Sequence, residues 1–348
     1  MTYDALLIVS FGGPERREDV ISFLENVLRG KNVPRERMLQ VAEHYDHFGG
    51  RSPINGQNRA LIAALEREFK AHGPSLPIYW GNRNWHPLLA DTLRQMEADG
   101  VHRALAFATS AFGSYSGCRQ YREDIERARI ETGPGAPEIH KLRTFHNHPG
   151  FLAAAADRAR VALEQIAPER RDSASVVFSA HSIPLSMAQV SPYVGQLRES
   201  CQLVCQMLGR PAATLAYQSR SGPPTQPWLE PDICDYIRQL HSGGGLKDIV
   251  VVPIGFLSDH MEVIYDQDTE AAALCRELGV NLVRAATVGV HPAFVSMIRE
   301  LILERTSGQQ RRALGTLGPG CDFCEARCCL VSGTTGRSEN TAGTRVTA

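Results

Sequence analysis

The feature that most constrains this chain is a repeated change of period. Short, continuously apolar runs alternate with amphipathic stretches of helical spacing. "ALLIVSF" runs into Gly12, Gly13 and Pro14, and the next stretch places Val20, Phe23, Leu24, Val27 and Leu28 on one stripe at three- and four-residue steps. "LPIYWGN" (76–82) precedes a helix predicted over about 87–99, and "VHRALAFAT" (101–109) precedes "SAFGSYSG" and another helix. The second half repeats the plan: "ASVVFSA" (174–180) ends at His181, "ATLAYQS" (213–219) at Arg220, and "DIVVVPIGF" covers 248–256. Strands that are apolar throughout, not alternately, belong to parallel sheets covered by helices on both faces.

The expected fold class is therefore α/β, with two similar doubly wound, Rossmann-like domains of parallel strands and an active cleft between them. A length of 348 residues favours two cores over one. The crossing falls near "TFHNHPG" (144–150), giving an N-terminal domain over 1–148, a C-terminal domain over 149–312 and a cysteine-containing tail over 313–348. The small, polar end of that tail, beyond about residue 331, is expected to be disordered.

The charge balance excludes one class of partner. With 37 basic and 38 acidic side chains the net charge is −1, so no global field draws nucleic acid. The start, "MTYDALLIVSFGGP", reads as a first strand and lacks the basic region of a signal peptide. No apolar run approaches the roughly 20 residues that cross a bilayer. A cytoplasmic protein without stable membrane insertion is expected.

Ligands of such folds bind beyond the carboxyl ends of the strands, here the loops after residues 11, 81, 109, 180, 219 and 256. No Gly-x-Gly-x-x-Gly follows a strand and no Walker loop is present, so nucleotide use is poorly supported. The exits carry other chemistry. His181 follows "VVFSA" directly, where an imidazole serves as proton acceptor or metal ligand; a structural histidine bonded to backbone would occupy the same place. In "VVPIGFLSDHMEVIYDQDTEAAAL" (251–274), Asp259, Glu262, Asp266 and Glu270 fall at helical spacings and form an acidic ridge. Neighbouring carboxylates raise one another's pKa, which suits proton transfer or cation binding, although a solvated helix face has the same pattern. His181 with one carboxylate makes a two-ligand site, one short of a catalytic zinc centre, so a metal would pass through as substrate. Tyr45, Arg51, Ser52 and Tyr121 lie in or beside "EHYDHFGGRSPIN" and "SYSGCRQYRED", where they could hold substrate carboxylates.

Nine cysteines are present. Cys201 and Cys205 fall on or near an apolar helical stripe and read as core. Cys321, Cys324, Cys328 and Cys329 crowd into "CDFCEARCC", in a tail with little to pack against, and suit zinc or an iron–sulfur cluster. Cys118, in "YSGCRQ", would join tail to body as a further ligand.

The blocks "LLIVSFGGP", "HYDHFGGRSPIN", "FATSAFGSYSGCRQY", "VVFSAHSIP", "AYQSRSGPPTQPWLEPDI" and "VPIGFLSDHMEVIYDQDTE" together resemble the ferrochelatase family, specifically its soluble actinobacterial type. The resemblance covers residues 4–329. It implies a lyase that inserts Fe2+ into a porphyrin. The family's essential histidine falls on His181, its partner glutamate on Glu262, and further acids of its metal-handling ridge on Asp266 and Glu270. Its porphyrin-binding serine and tyrosines fall on Ser52, Tyr121 and Tyr45. Phe11 stands where many bacterial relatives carry a tyrosine beside the ring, and His44 where some carry another basic residue. The actinobacterial type implies coproporphyrin III as substrate, Fe-coproporphyrin III as product and a role in heme b biosynthesis. Protoporphyrin IX insertion, a cobalt chelatase of the same fold and a non-catalytic heme or iron carrier are the alternatives. The resemblance also implies a 2Fe-2S cluster on four of Cys118, Cys321, Cys324, Cys328 and Cys329; a zinc-stabilised interaction module is the competing reading of the tail. A monomer with transient partners in the heme pathway is expected.

Overall fold

A computed structural model describes residues 2–30, 33–211, 214–222 and 225–330. Among these described residues, eight strands form two four-stranded parallel sheets. The first contains β1 (Ala5–Ser10), β2 (Ile78–Asn82), β3 (Arg103–Ala108) and β4 (Glu138–Lys141) in the order β2-β1-β3-β4. The second contains β5 (Ser175–His181), β6 (Thr214–Gln218), β7 (Asp248–Val252) and β8 (Asn281–Arg284) in the order β6-β5-β7-β8. The two orders are the same, so the doubly wound plan occurs twice: a chelatase-like pair of α/β sheets.

Every residue of β1 and of β7 is buried, which is why those runs carry no polar alternation. The pleat divides them between two cores. Leu6 and Ile8 of β1 face inward with Phe107, Phe151 and Phe294, whereas Ala5, Leu7 and Val9 face outward onto Leu89, Leu93 and Met96. In the second sheet Phe178 and Ala180 share the inner core, and Val177 lies with Ile249 and Val251 in an outer one. The inner core is continuous from one sheet to the other. Helices Pro149–Glu164 and Pro292–Thr306 pack together at its centre, and the latter also packs on Ile54–His72 of the first half. Both central helices start alike: His148 and His291 accept from the amides of Gly150 and Ala293 through Nδ1, at 3.1 and 3.2 Å, with proline next in sequence. The motif "His-Pro" thus fixes two helix starts in the middle of the molecule.

One strand is shorter than the apolar run that signals it. β7 ends at Val252 because Pro253 has no amide to donate. The chain turns there: Gly255 N donates to Ser179 O at 3.0 Å, with no space beside Ala180 for a Cβ on Gly255. The turn places residues 257–270 over the carboxyl end of β5. The expected disorder beyond about residue 331 lies outside the described residues. Among those residues no helix is long and apolar enough to cross a membrane.

Candidate active site

His181 is the last residue of β5. Its Nδ1 donates to Ser182 O, which leaves Nε2 as the nitrogen able to exchange a proton or bind a cation. Tyr193 Oη donates to the His181 carbonyl at 3.0 Å and holds the strand exit in place. Opposite Nε2 stands Glu262 Oε1 at 3.5 Å, and the other Glu262 oxygen lies 3.8 Å from His260 Nδ1. Two strand exits far apart in sequence therefore meet.

The electrostatics follow from half-burial beside opposite charge. Burial opposes a charge on His181, but the Glu262 carboxylate, the Ser182 carbonyl and Asp266 outweigh it and raise the imidazole to about 9. His260, also facing Glu262, stays below its ordinary value because burial prevails and His181 repels a second proton. His181 thus holds its proton at neutral pH. Asp266 is raised to about 7, first by burial and then by the Glu262 and Glu270 charges, against the hydrogen bond from Ser219. Glu270 is raised by burial and by Asp232.

The ridge is built on a helix Met261–Tyr265 that widens into a π-helical turn, Asp266–Ala271, before resuming as Ala272–Glu277. Such wide turns recur at functional sites because they re-aim side chains. Asp259 does not belong to the ridge. It precedes the helix and pairs with Arg284 at 2.8 Å. The wide turn is pinned from β6: Gln218 Nε2 donates to Glu262 O at 2.8 Å and to Asp266 Oδ2 at 3.3 Å, and Ser219 Oγ donates to Asp266 Oδ2. Ser219 holds φ at +62°, a left-handed backbone uncommon for a residue with a side chain. Gln267, fully buried, donates to Ser179 Oγ at 2.7 Å and to Gln218 Oε1 at 2.5 Å.

The first half supplies the facing wall. Phe11 leaves β1 with 36% of its surface exposed, while Tyr45, Ser52 and Tyr121 are buried at 8%, 8% and 5%. Phe23 joins Phe11 to Tyr45 through edge contacts at 6.2 and 5.9 Å. Arg83, at the exit of β2, lies 5.6 Å from the Phe11 ring and 4.6 Å from the Tyr121 ring, with its charge held by Asp124. Gly13 sits against Ser52, with no space for a Cβ. Arg51 is spent on the Glu15 carbonyl at 2.7 Å. His44 stacks flat on Tyr265, ring centres 3.8 Å apart and planes within 8°. Gln57 makes a two-point bond to the backbone of Asp259, at 2.7 and 3.2 Å, and so ties this wall to the segment that bears Glu262.

Sequence reasoning missed Arg83, Gln218 and Ser219, yet all three lie at the strand exits it singled out. It had no means of finding Gln57 and Arg284, whose partners are remote in sequence.

The expectation of a 2Fe-2S cofactor is overturned. Among the described residues no group of three or more His, Cys, Asp or Glu side chains is placed to hold a metal ion. Cys118 is buried and hydrogen-bonded to Cys324, Cys328 and Cys329 have their sulfurs 3.7 Å apart, and Cys321 is exposed. The sulfurs of Cys118, Cys324, Cys328 and Cys329 contact one another in turn, but no three of them are placed to hold a metal ion. The tail is joined to the body by guanidinium groups instead: Arg119 donates to the carbonyls of Ala326 and Cys328 at 2.6 and 3.0 Å, and Arg122 to that of Cys324 at 3.3 Å. The same finding removes the zinc-module reading. Cys201 and Cys205 are buried in the inner core, as their stripe implied.

Comparison with known proteins agrees with the two-sheet architecture. The family model described as ferrochelatase matches residues 3–306. The ferrochelatase of Rhodopirellula baltica is 59% identical over 333 residues, covering 95% of this chain and 94% of that protein. The coproporphyrin III ferrochelatase of Nocardia farcinica is 50% identical over 342 residues, covering 94% and 97%. That of Streptomyces coelicolor is 48% identical over 350 residues, covering 94% and 93%. Among solved structures, SirB from Bacillus subtilis with Fe3+ has a TM-score of 0.54 at 14% identity, covering 88% of this chain and 98% of that one, a likeness of fold alone.

Proposed function

From the premise that the chain belongs to the ferrochelatase family, we propose that it inserts Fe2+ into coproporphyrin III, giving Fe-coproporphyrin III and two protons on the route to heme b. Fe2+ is a substrate here. The observation that carries the reading is the His181–Glu262 pair at 3.5 Å, backed by the Asp266 carboxyl at about 7. Several relatives of 45–50% identity bear the name coproporphyrin III ferrochelatase.

The chemistry requires two pyrrole protons to leave as the cation enters. On this reading the His181–Glu262 pair receives them. Because the pair already holds a proton at neutral pH, it must pass charge outward to accept more, and Asp266 is the next acceptor, with exposed Glu270 leading to solvent. Phe11 offers an open ring face to the macrocycle. Ser52, Tyr45 and Tyr121 form the layer beneath. Binding energy from a macrocycle spread across this wall can hold it in a distorted form whose nitrogens face the pair. A division of the chain at 148/149 and 312/313, a monomeric state and cytoplasmic residence belong to the same proposal.

The test is anaerobic Fe2+ insertion into coproporphyrin III and protoporphyrin IX in parallel, followed by loss of porphyrin fluorescence. Faster loss with coproporphyrin III, abolished in His181→Ala while porphyrin binding persists, is the expected result. Preference for protoporphyrin IX overturns the substrate. Full turnover in His181→Ala overturns the roles, and binding of both rings without insertion overturns the reaction in favour of a carrier.

A further inference from the structure

Arg284 ends β8, and no aspect of the proposed chemistry uses it directly. Its guanidinium nevertheless reaches both ends of the catalytic segment. NH1 bonds Asp259 Oδ1 at 2.8 Å, immediately before the helix that carries Glu262. Nε and NH2 grip both oxygens of Asp268, at 2.6 and 2.9 Å, inside the π-helical turn. NH1 also donates to the Ala285 carbonyl at 3.3 Å, which anchors the fork to its own strand exit. Its side chain is 17% exposed, and those of Asp259 and Asp268 are 24% and 37% exposed. His260, Glu262 and Asp266 lie between the two gripped aspartates.

We infer that Arg284 is a positioning residue: a single guanidinium clamp that holds Asp259 and Asp268 and so fixes the register of the π-helical turn that aims Glu262 and Asp266 at His181. The inference rests on the proposed insertion chemistry. A planar fork with fixed donors is the group suited to bridging two carboxylates at once; an ammonium supplies the charge without the geometry. Asp268 thereby belongs to the clamp and not to the ridge. The wide turn has backbone spacing that simple helical propensity does not favour, so it needs such external ties. Gln218 and Ser219 supply them from β6 and Arg284 supplies them from β8.

The experiment compares the wild type with Arg284→Gln, Arg284→Lys, Asp268→Asn and the Arg284→Gln/Asp268→Asn double variant. Each is assayed for Fe2+ insertion into coproporphyrin III, with kcat and porphyrin KM separated and Tm recorded. A displacement of about 1 Å in a reacting group can cost as much as about a hundredfold in rate. The expected result is a fall in kcat of about tenfold or more in Arg284→Gln with porphyrin KM within about twofold. Arg284→Lys should be intermediate. Asp268→Asn should lose rate in the same way, and the double variant should be no slower than Arg284→Gln, because both substitutions release one clamp. Wild-type kcat in Arg284→Gln overturns the inference even if Tm drops, as does a double variant whose loss is the product of the single losses. If Arg284→Gln does not fold, Arg284→Lys and Asp268→Asn decide it by the same split. Absence of insertion by the wild type would instead overturn the proposed function, so the two failures are distinct.

Discussion

Replacing Glu262 by glutamine isolates the charge that keeps a proton on His181. Glutamine has nearly the same shape, and the Glu262 carbonyl still accepts from Gln218 at 2.8 Å, so the segment stays pinned. At 3.5 Å the attraction between the two charges is about 5 kcal/mol for an effective dielectric of about 20. With 49% of the Glu262 side chain exposed, screening leaves roughly 2 to 3 kcal/mol, or about two pH units on His181. The imidazole then falls from about 9 back towards its ordinary 6.5. The linkage has a definite sign. Because the folded value lies above the unfolded one, the pair's contribution is complete below about pH 6.5 and is lost as pH rises through about 9. Urea unfolding at intervals from pH 6 to 10 should therefore show wild-type stability declining towards that of Glu262→Gln across this window. NMR of isotopically labelled histidines should show one resonance titrating near 9 in the wild type and none there in the variant. Parallel stability curves, or a high-pH titration that survives the substitution, would refute the reasoning that Glu262 holds the proton in place. Insertion activity in the variant should fall by about a hundredfold or more, the usual scale for loss of a positioned acid or base.

Two further perturbations test other parts of the structure. Asp266 is raised to about 7, so its ionisation costs folding stability as pH rises from about 4 to 7; Asp266→Asn should match the wild type near pH 4, exceed it at pH 8 in urea midpoint, and still insert iron more slowly. Arg143 and Glu304 form a buried pair, 1% and 4% exposed, that also holds the Arg312 carbonyl at 2.9 Å; Arg143→Met should cost about 3 to 5 kcal/mol in urea unfolding by stranding the carboxylate, and Arg143→Met/Glu304→Leu should recover part of that.

The parts of this protein legible in its sequence are those written in one local period. The apolar runs announced parallel, two-sided burial, and β1 and β7 are buried from end to end. His181 and Glu262 stood out as candidates because a polar group at or soon after the end of an apolar run falls where such sheets open. What stayed hidden depends on a partner far along the chain or on a change of helical period. Gln57 and Asp259 meet across 202 positions of sequence. Asp259 was counted with the ridge on helical spacing, but the helix begins only at Met261 and its π-helical turn follows, so it points to Arg284 instead. The cysteine cluster failed for a related reason: sequence shows that thiols are close in number but not that their sulfurs converge. Here the thiols touch one to the next without a group placed to hold a metal ion, and arginines hold the tail that the expected cluster was to tie.

One cause runs through the electrostatics of the cleft. Burial opposes every charge in it, and what differs from residue to residue is the neighbour that offsets it. For His181 the offset is Glu262, so the imidazole keeps its proton; for His260 the offset is insufficient, so it stays neutral; for Asp266 the neighbours are like charges, so its carboxyl reaches about 7. His181 and, in part, Asp266 therefore hold protons at neutral pH that a nearby positive charge would displace. An arriving dication lowers the pKa of each of these groups at once. On the proposed reading, Fe2+ entry makes the pair and the ridge release protons as the pyrrole nitrogens need to shed theirs. The cleft stays close to electroneutral through the exchange, which a low-dielectric site demands, and a proton leaves His181 for the weaker base Asp266 only once the incoming charge has lowered the imidazole from its value of about 9.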